Sequence, residues 1–393
     1  MKGIIRFISL LLRERKRSKR VSIMTHQYHK KNAEIAQLPS YETFEKKILI
    51  IKTEDIGDYL LFRNFLTYFR NAEKFKGYQI TLLGNSAWKS VFDVYDKDLV
   101  DHVIWLDKSK YMHHENYSQK LYAQLRDEKF EYTICPERWR HIAWADCITL
   151  AANSLLKFGV KNTDEHTAFN AESDKIYHHI FENSWAITHE FIFNKSYTEW
   201  VIEENISIEK PIIPNERKPI FKEKTILFNI AASKKSKRWP IKNWINLIET
   251  VKQQYSDYHL AIIGGPMEIK EANIITEATH ITSLVNKYSI TETIELLNGI
   301  ALLITNDSFA LHAGIGNKTK NIISIANGNN AFRFADYSFL SSNPNESIYP
   351  KYYLKKNKSQ YFSDRKRWFY DATSTDISTI NPNEILDKIK AIL

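Results

Sequence analysis

Residues 48–61, ILIIKTEDIGDYLL, begin as an apolar run that ends at Lys52 and then present three carboxylates, Glu54, Asp55 and Asp58, with Gly57 directly before the last. A loop that cradles phosphate offers several glycines and free backbone N–H groups. This one offers negative charge and would repel a phosphate. The opposite charge gathers at 229–244, NIAASKKSKRWPIKNW, where Ser233 precedes Lys234, Lys235, Lys237 and Arg238 and Pro240 opens a helix. Four cations beside the free N–H groups of a helix start form an anion site suited to a diphosphate. The plain alternative is a solvated basic loop.

Two further clusters follow the same half. In LLITNDSFALHAGIGN (302–317) a strand delivers Asn306, Asp307 and Ser308 to its end, and His312 lies five residues beyond Asp307 on the next helix. Asp307 and Ser308 can cap that helix, and its exposed N–H groups offer a second phosphate site. In AIIGGPMEIKEA (261–272) two glycines end a strand and Glu268 occupies the first helical turn, where a carboxylate accepts hydrogen bonds from ribose hydroxyls or simply complements the helix dipole.

These clusters sit on a repeating pattern. From residue 46, short β-rich runs alternate with helical stretches: KILIIK, YQITLLG, DHVIWL and FEYTICPE read as strands, and RHIAWADCITLAANSLLKFG (140–159) reads as a long helix closing the first half. The proline-rich and charged stretch 208–224 reads as a linker. Alternation then restarts with TILFNIAAS, YHLAIIGGP, ALLITNDS and NIISIAN, and the helix NPNEILDKIKAIL ends the chain. The fold class expected is α/β, two Rossmann-like domains in series with parallel sheets facing across a cleft, where a ligand binds at the strands' carboxyl ends. The boundaries are 1–22 for a basic amphipathic N-terminal segment, 46–207 for an acceptor-side domain, 208–224 for the linker, 225–380 for a donor-side domain and 381–393 for the last helix.

Charge and cysteine usage narrow the function. Of the net charge of +9, residues 1–20 carry +7, from eight basic side chains against Glu14, which leaves +2 for the rest. A phosphate-tracking groove needs its cations on the folded body, so nucleic acid is not an expected partner. Ile4, Phe7, Ile8, Leu11 and Leu12 fall on one helical face before the basic block, a run too short to span a bilayer. We read residues 1–20 as an interfacial helix for an anionic membrane surface, against the simpler alternative of a basic tail. Cys135 and Cys147 have no CxxC partner, which argues against a disulfide framework or a zinc site and fits a reducing compartment.

Taken in their order and spacing, ILIIKTEDIGDYLL, AASKKSKRWPIKNW, IIGGPMEIKEA and ITNDSFALHAG resemble the heptosyltransferases of bacterial lipopolysaccharide synthesis, glycosyltransferase family 9, over roughly residues 46–330. The resemblance implies a GT-B fold and an inverting, metal-independent transfer of a sugar, usually heptose, from an ADP donor to a lipid-linked saccharide at the inner face of the cytoplasmic membrane. It implies Asp58 as general base, with Gly57 letting it approach the acceptor. Ser233 and Lys237 become the diphosphate contacts, Glu268 the ribose contact, and Asp307, Ser308 and His312 the second wall of the donor site. No cofactor beyond the nucleotide sugar is implied, and no metal. A carboxylate at a helix start is expected to stay ionised near neutral pH. Two features depart from the family: Phe309 stands where many members have glycine, and NGNNAFRFADY (327–337) replaces shorter loops, leaving Asn329, Asn330 and Arg333 without a role. Phe309 also keeps open a non-catalytic nucleotide-sugar or carbohydrate-binding relative of the same fold.

Overall fold

Ile48 to Ile51 are fully buried, as a strand covered on both faces requires. They form the centre of β1 (Glu45–Lys52), which pairs in parallel with β2 (Gln79–Asn85) and β4 (Phe130–Ile134). With β3 (His102–Leu106), β5 (Leu156–Val160) and β6 (His179–Phe181) they make a six-stranded parallel sheet in the order β3-β2-β1-β4-β5-β6. The computed structural model describes residues 2–162, 172–182, 188–214, 218–328, 331–351 and 376–393.

The second half repeats the plan. β7 (Thr225–Asn229), β8 (His259–Ile263), β9 (Thr282–Ser283), β10 (Leu302–Asn306), β11 (Ile322–Ile325) and β12 (Asn345–Ile348) form a second six-stranded parallel sheet, ordered β12-β11-β10-β7-β8-β9. In each sheet the first strand is central and the chain changes direction beside it, between β1 and β4 and between β7 and β10. That reversal opens a crevice at the strands' carboxyl ends, and the loops after these four strands line it.

The helices that matter for the site are few. α1 (Lys2–Ile35) runs past the basic segment 1–22, and its last turns dock on the first half through buried Tyr28, Lys31 and Ile35. Lys31 Nζ donates to the Tyr111 carbonyl at 3.1 Å. The side chains of residues 2–14, 16, 17 and 20 lie outside the described residues, and the expected apolar face of that segment lies there with them. No helix among the described residues is long and apolar enough to cross a membrane. α2 (Ile56–Leu60) follows β1, and α3 (Glu190–Ile202) closes the first half. In the second half α4 (Ile241–Gln254) follows β7, α5 (Ile269–Thr279) follows β8, α6 (Phe309–Gly316) follows β10, and α7 (Pro382–Ile392) packs on α4.

The long helix expected over 140–159 is instead a π-helical turn at Ile142–Asp146 and a short α-helix at Cys147–Ala152, stopped by Asn153 in a left-handed conformation. Asn tolerates that conformation better than most residues. The remaining residues, Leu156 to Val160, become β5, because Phe158 and Val160 are buried between β4 and β6. The edge strands β6, β9 and β12 were not among the expected ones. They have two to four residues and no apolar run for periodicity to report.

A buried ion pair fixes the chain just after α2. Arg63 Nη2 lies 2.6 Å from Asp96 Oδ1 and Arg63 Nε 2.9 Å from Oδ2, while the Tyr59 hydroxyl donates to Oδ2 at 2.6 Å. Arg63 Nη1 also donates to the Ile212 carbonyl at 2.6 Å, tying α2's surroundings to the segment that leads into the second half. That segment docks by Ile213 N donating to Gly316 O at 2.8 Å.

Candidate functional site

The two crevices meet in one cleft of about 610 Å³, lined from both halves. All eight residues singled out above (Gly57, Asp58, Ser233, Lys237, Glu268, Asp307, Ser308 and His312) line it, together with Phe309, Trp139 and Arg333.

Asp58 sits in the first turn of α2 with its side chain 19% exposed. Its carboxyl is pushed up to about 7, by burial first and Glu54 second, against the pull of Arg333 and Lys52. This corrects the expectation of a fully ionised acid at neutral pH. A five-residue helix contributes little dipole, and desolvation beside a second carboxylate outweighs it. Gly57 has a local reason to be glycine: an added Cβ would lie 3.2 Å from His312 Cδ2, so the two halves touch there through the missing side chain.

Four carboxylates cluster around this loop. Glu54 pairs with buried Lys52. Behind it, Glu137 accepts from Thr53 N at 2.5 Å and Thr53 Oγ1 at 2.6 Å, and its carboxyl is raised to about 7 by burial and by Glu54. Glu190, at the start of α3, takes Arg333 Nε at 2.6 Å and Nη2 at 2.9 Å. Burial alone would raise Glu190, but Arg333, Arg138 and Lys52 more than offset it and hold the carboxyl at about 2.

The opposite wall is cationic. A 3₁₀ turn, Lys235–Lys237, follows β7, and Lys237 Nζ lies 2.7 Å from Asp307 Oδ2. Arg238 Nη2 lies 2.7 Å from Glu268 Oε1, and Glu268 Oε2 accepts from Gly265 N at 3.1 Å, so Glu268 caps its own turn while facing the cleft. Burial raises the Glu268 carboxyl in spite of Arg238. Ser308 caps α6: its hydroxyl accepts from Ala310 N at 3.3 Å and from Asn229 Nδ2 at 2.8 Å. Asn306 is a brace, accepting from Trp239 N at 3.2 Å and donating to Ile230 O at 2.8 Å. His312 Nδ1 and the Tyr337 hydroxyl share a 2.7 Å hydrogen bond, and burial together with Lys237 pushes the imidazole down to about 3, so it is neutral. Ser233 is exposed at the rim, and Phe309 occupies the first position of α6.

Glu190, Glu137 and Trp139 were not anticipated, and Arg333 was noted only as part of a polar loop with no assigned role. PERWR (136–140) follows β4 just as NDS follows β10, and charged residues directly behind a buried strand were the available signal. For Arg333 and Glu190 nothing local distinguishes them, since the paired hydrogen bonds between them run from one half to the other. Asn329 and Asn330 lie outside the described residues.

Two parallel sheets with one strand order, facing across a shared cleft, make this a GT-B type α/β protein. Solved structures agree. A family 9 glycosyl transferase from Veillonella parvula matches with 16% identity over 90% of this chain and 98% of that one, at a TM-score of 0.66. E. coli heptosyltransferase WaaC with ADP matches at 13% identity, 88% and 100% coverage and a TM-score of 0.64. E. coli ADP-heptose lps heptosyltransferase II matches at 12%, 88% and 98%, with 0.59. Residues 141–322 match the description of glycosyltransferase family 9 (heptosyltransferase), while no curated protein matches by sequence. The match to the family 9 description thus covers 182 of the 393 residues, and the solved structures agree with it on the fold. The α2 loop with Asp58 lies ahead of the matched segment.

Proposed function

We propose that the chain is an inverting, metal-independent glycosyltransferase that moves heptose from ADP-heptose to a hydroxyl of a lipopolysaccharide-type saccharide. The observation that carries this reading is the division of the cleft: Asp58 on one wall, and Lys237 with the start of α6 on the other. In a single displacement the acceptor oxygen bonds to the anomeric carbon as the bond to the diphosphate breaks on the opposite face. Asp58 accepts the hydroxyl proton, and the charge developing on the leaving diphosphate falls to Lys237 and the N–H groups of α6. Ser233 stands at the rim for the same diphosphate, and Glu268 faces the ribose. The acid cluster is met by protein cations, Lys52 and Arg138 together with Arg333, on which Glu54, Asp58 and Glu190 converge, and this supports a reaction that needs no metal. WaaC solved with ADP supports an adenine nucleotide. The basic segment 1–20 supports peripheral attachment to anionic lipid on the cytoplasmic side.

The test is acceptor-dependent release of ADP from ADP-heptose by the purified chain, with the glycoside product identified. Binding of ADP-heptose without product over many hours would overturn the reading in favour of a non-catalytic relative, the outcome that Phe309 at the mouth of α6 favours.

A further inference from the structure

Arg333 belongs to the second half, in a short helical turn Ala331–Phe334 after β11, yet its guanidinium is 3% exposed and lies among residues of the first half. Nε and Nη2 grip the two oxygens of Glu190 side by side. The free edge of Nη2 reaches Glu54 Oε1 at 3.1 Å and Asp58 Oδ1 at 3.3 Å. Trp139 and Phe334 cover the guanidinium, with ring centroids 4.0 and 4.5 Å from Cζ. Next to it, His189 Nε2 and the Phe334 carbonyl lie 3.1 Å apart, a second bond between the halves.

We infer that Arg333 is a positioning residue for the transfer: bringing the two halves together places its guanidinium among Glu190, Glu54 and Asp58, which orients Asp58 and readies its carboxylate to accept a proton. The inference rests on the reading of Asp58 as the base. The charges facing Asp58 come from several elements. Lys52 ends β1, Glu54 and Asp55 belong to the following loop, Glu137 and Arg138 follow β4, Glu190 starts α3, and Lys237, Asp307 and His312 face it from the second half. Asp55 is engaged by Lys108 at 3.0 Å, Lys237 by Asp307, and His312 is neutral. Four carboxylates (Glu54, Asp58, Glu137, Glu190) thus share three cations (Lys52, Arg138, Arg333), and of these three Arg333 alone comes from the other half. With the halves apart, Asp58 loses the Arg333 guanidinium and keeps Lys52 and the Glu54 carboxylate as neighbours, and burial beside Glu54 then favours its protonated form. With the halves together, Asp58 gains a fixed positive partner. A lysine would supply charge without the parallel fork that holds Glu190 while touching Asp58.

The experiment is the pH profile of kcat/KM for ADP-heptose transfer by the full chain and its Arg333→Gln, Arg333→Lys, Glu190→Gln and Asp58→Asn variants, with ADP affinity measured in parallel. Arg333→Gln is expected to move the acid limb up by about one pH unit, a loss of about tenfold on the acid side that recovers above about pH 8.5, with ADP affinity within a few-fold. Arg333→Lys should fall between this and the parent chain. Glu190→Gln should move the limb down, because the guanidinium is then shared by fewer acids. A loss equal at every pH, or an unmoved limb, in Arg333→Gln would overturn the inference; should that variant not fold, a Glu190→Gln limb that does not move down overturns it instead. Normal turnover by Asp58→Asn would sink the base reading itself, whereas an inert Asp58→Asn beside an unshifted Arg333→Gln sinks the positioning role alone.

Discussion

The two halves have the same strand order and opposite charge behind their central strand. After β1 the chain places Glu54, Asp55 and Asp58; after β7 it places Lys234, Lys235, Lys237 and Arg238. The sheets give each loop the same position, at the carboxyl end beside the reversal, and the loop residues alone decide what is done there. An acid behind β1 suits taking a proton, and cations behind β7 with a helix start behind β10 suit holding an anion. Where the halves meet the exchange runs one way: Arg333 of the second half enters the acidic side, whereas Lys237 on the basic side is held by Asp307 of its own half.

The strongest way to break this comparison is Asp58→Asn, which removes the base while keeping the shape. We expect turnover to fall by about 10²- to 10⁴-fold, with ADP affinity, read by calorimetry, within a few-fold of the parent chain. Lys237→Ala attacks the other half and should show the reverse pattern. ADP affinity should drop by about tenfold or more, the worth of a charge-assisted hydrogen bond, and part of the loss should disappear at saturating donor. Equal effects of both substitutions on binding and turnover would erase the distinction between the halves.

Smaller changes sharpen it. Transfer by the parent chain should rise with pH through about 7, because the Asp58 carboxyl is raised to that value and accepts a proton only when ionised; a rate flat from about pH 5 to 8 would contradict this. Gly57→Ala puts a methyl group 3.2 Å from His312 Cδ2, so the halves must part by a few tenths of an ångström. A several-fold loss of turnover with an unchanged melting temperature is expected. Ser308→Ala removes a helix cap and should cost about 1 kcal/mol of stability by thermal denaturation, with a minor loss of donor affinity.

Much of this was legible in the chain. Long apolar runs such as Ile48–Ile51 and Leu302–Ile304 announce buried parallel strands, and charged clusters directly behind them announce the cleft. The eight singled-out residues face one cavity because a strand's end is a fixed address in this topology. What stayed hidden has a common physical cause. Edge strands such as β9 (Thr282–Ser283) lack a hydrophobic period, and Asn153 ends a helix whose apolar pattern continues into β5. Arg333 and Glu190 lie 143 positions apart along the chain and acquire meaning only when the halves meet. The charge state of Asp58 was misjudged for the same reason: a helix start is visible in sequence, whereas the burial and the Glu54 carboxylate that outweigh it belong to the folded cleft.

The most direct test of the central claim, one base on one wall and the departing diphosphate on the other, is the anomeric configuration of the product formed from ADP-heptose of known configuration, read by proton NMR on the first turnovers. A single displacement across the cleft predicts complete inversion at the anomeric carbon. Retention of configuration would require a second nucleophile or a front-face route, and would contradict the assignment of Asp58 and Lys237 to opposite sides of the reaction.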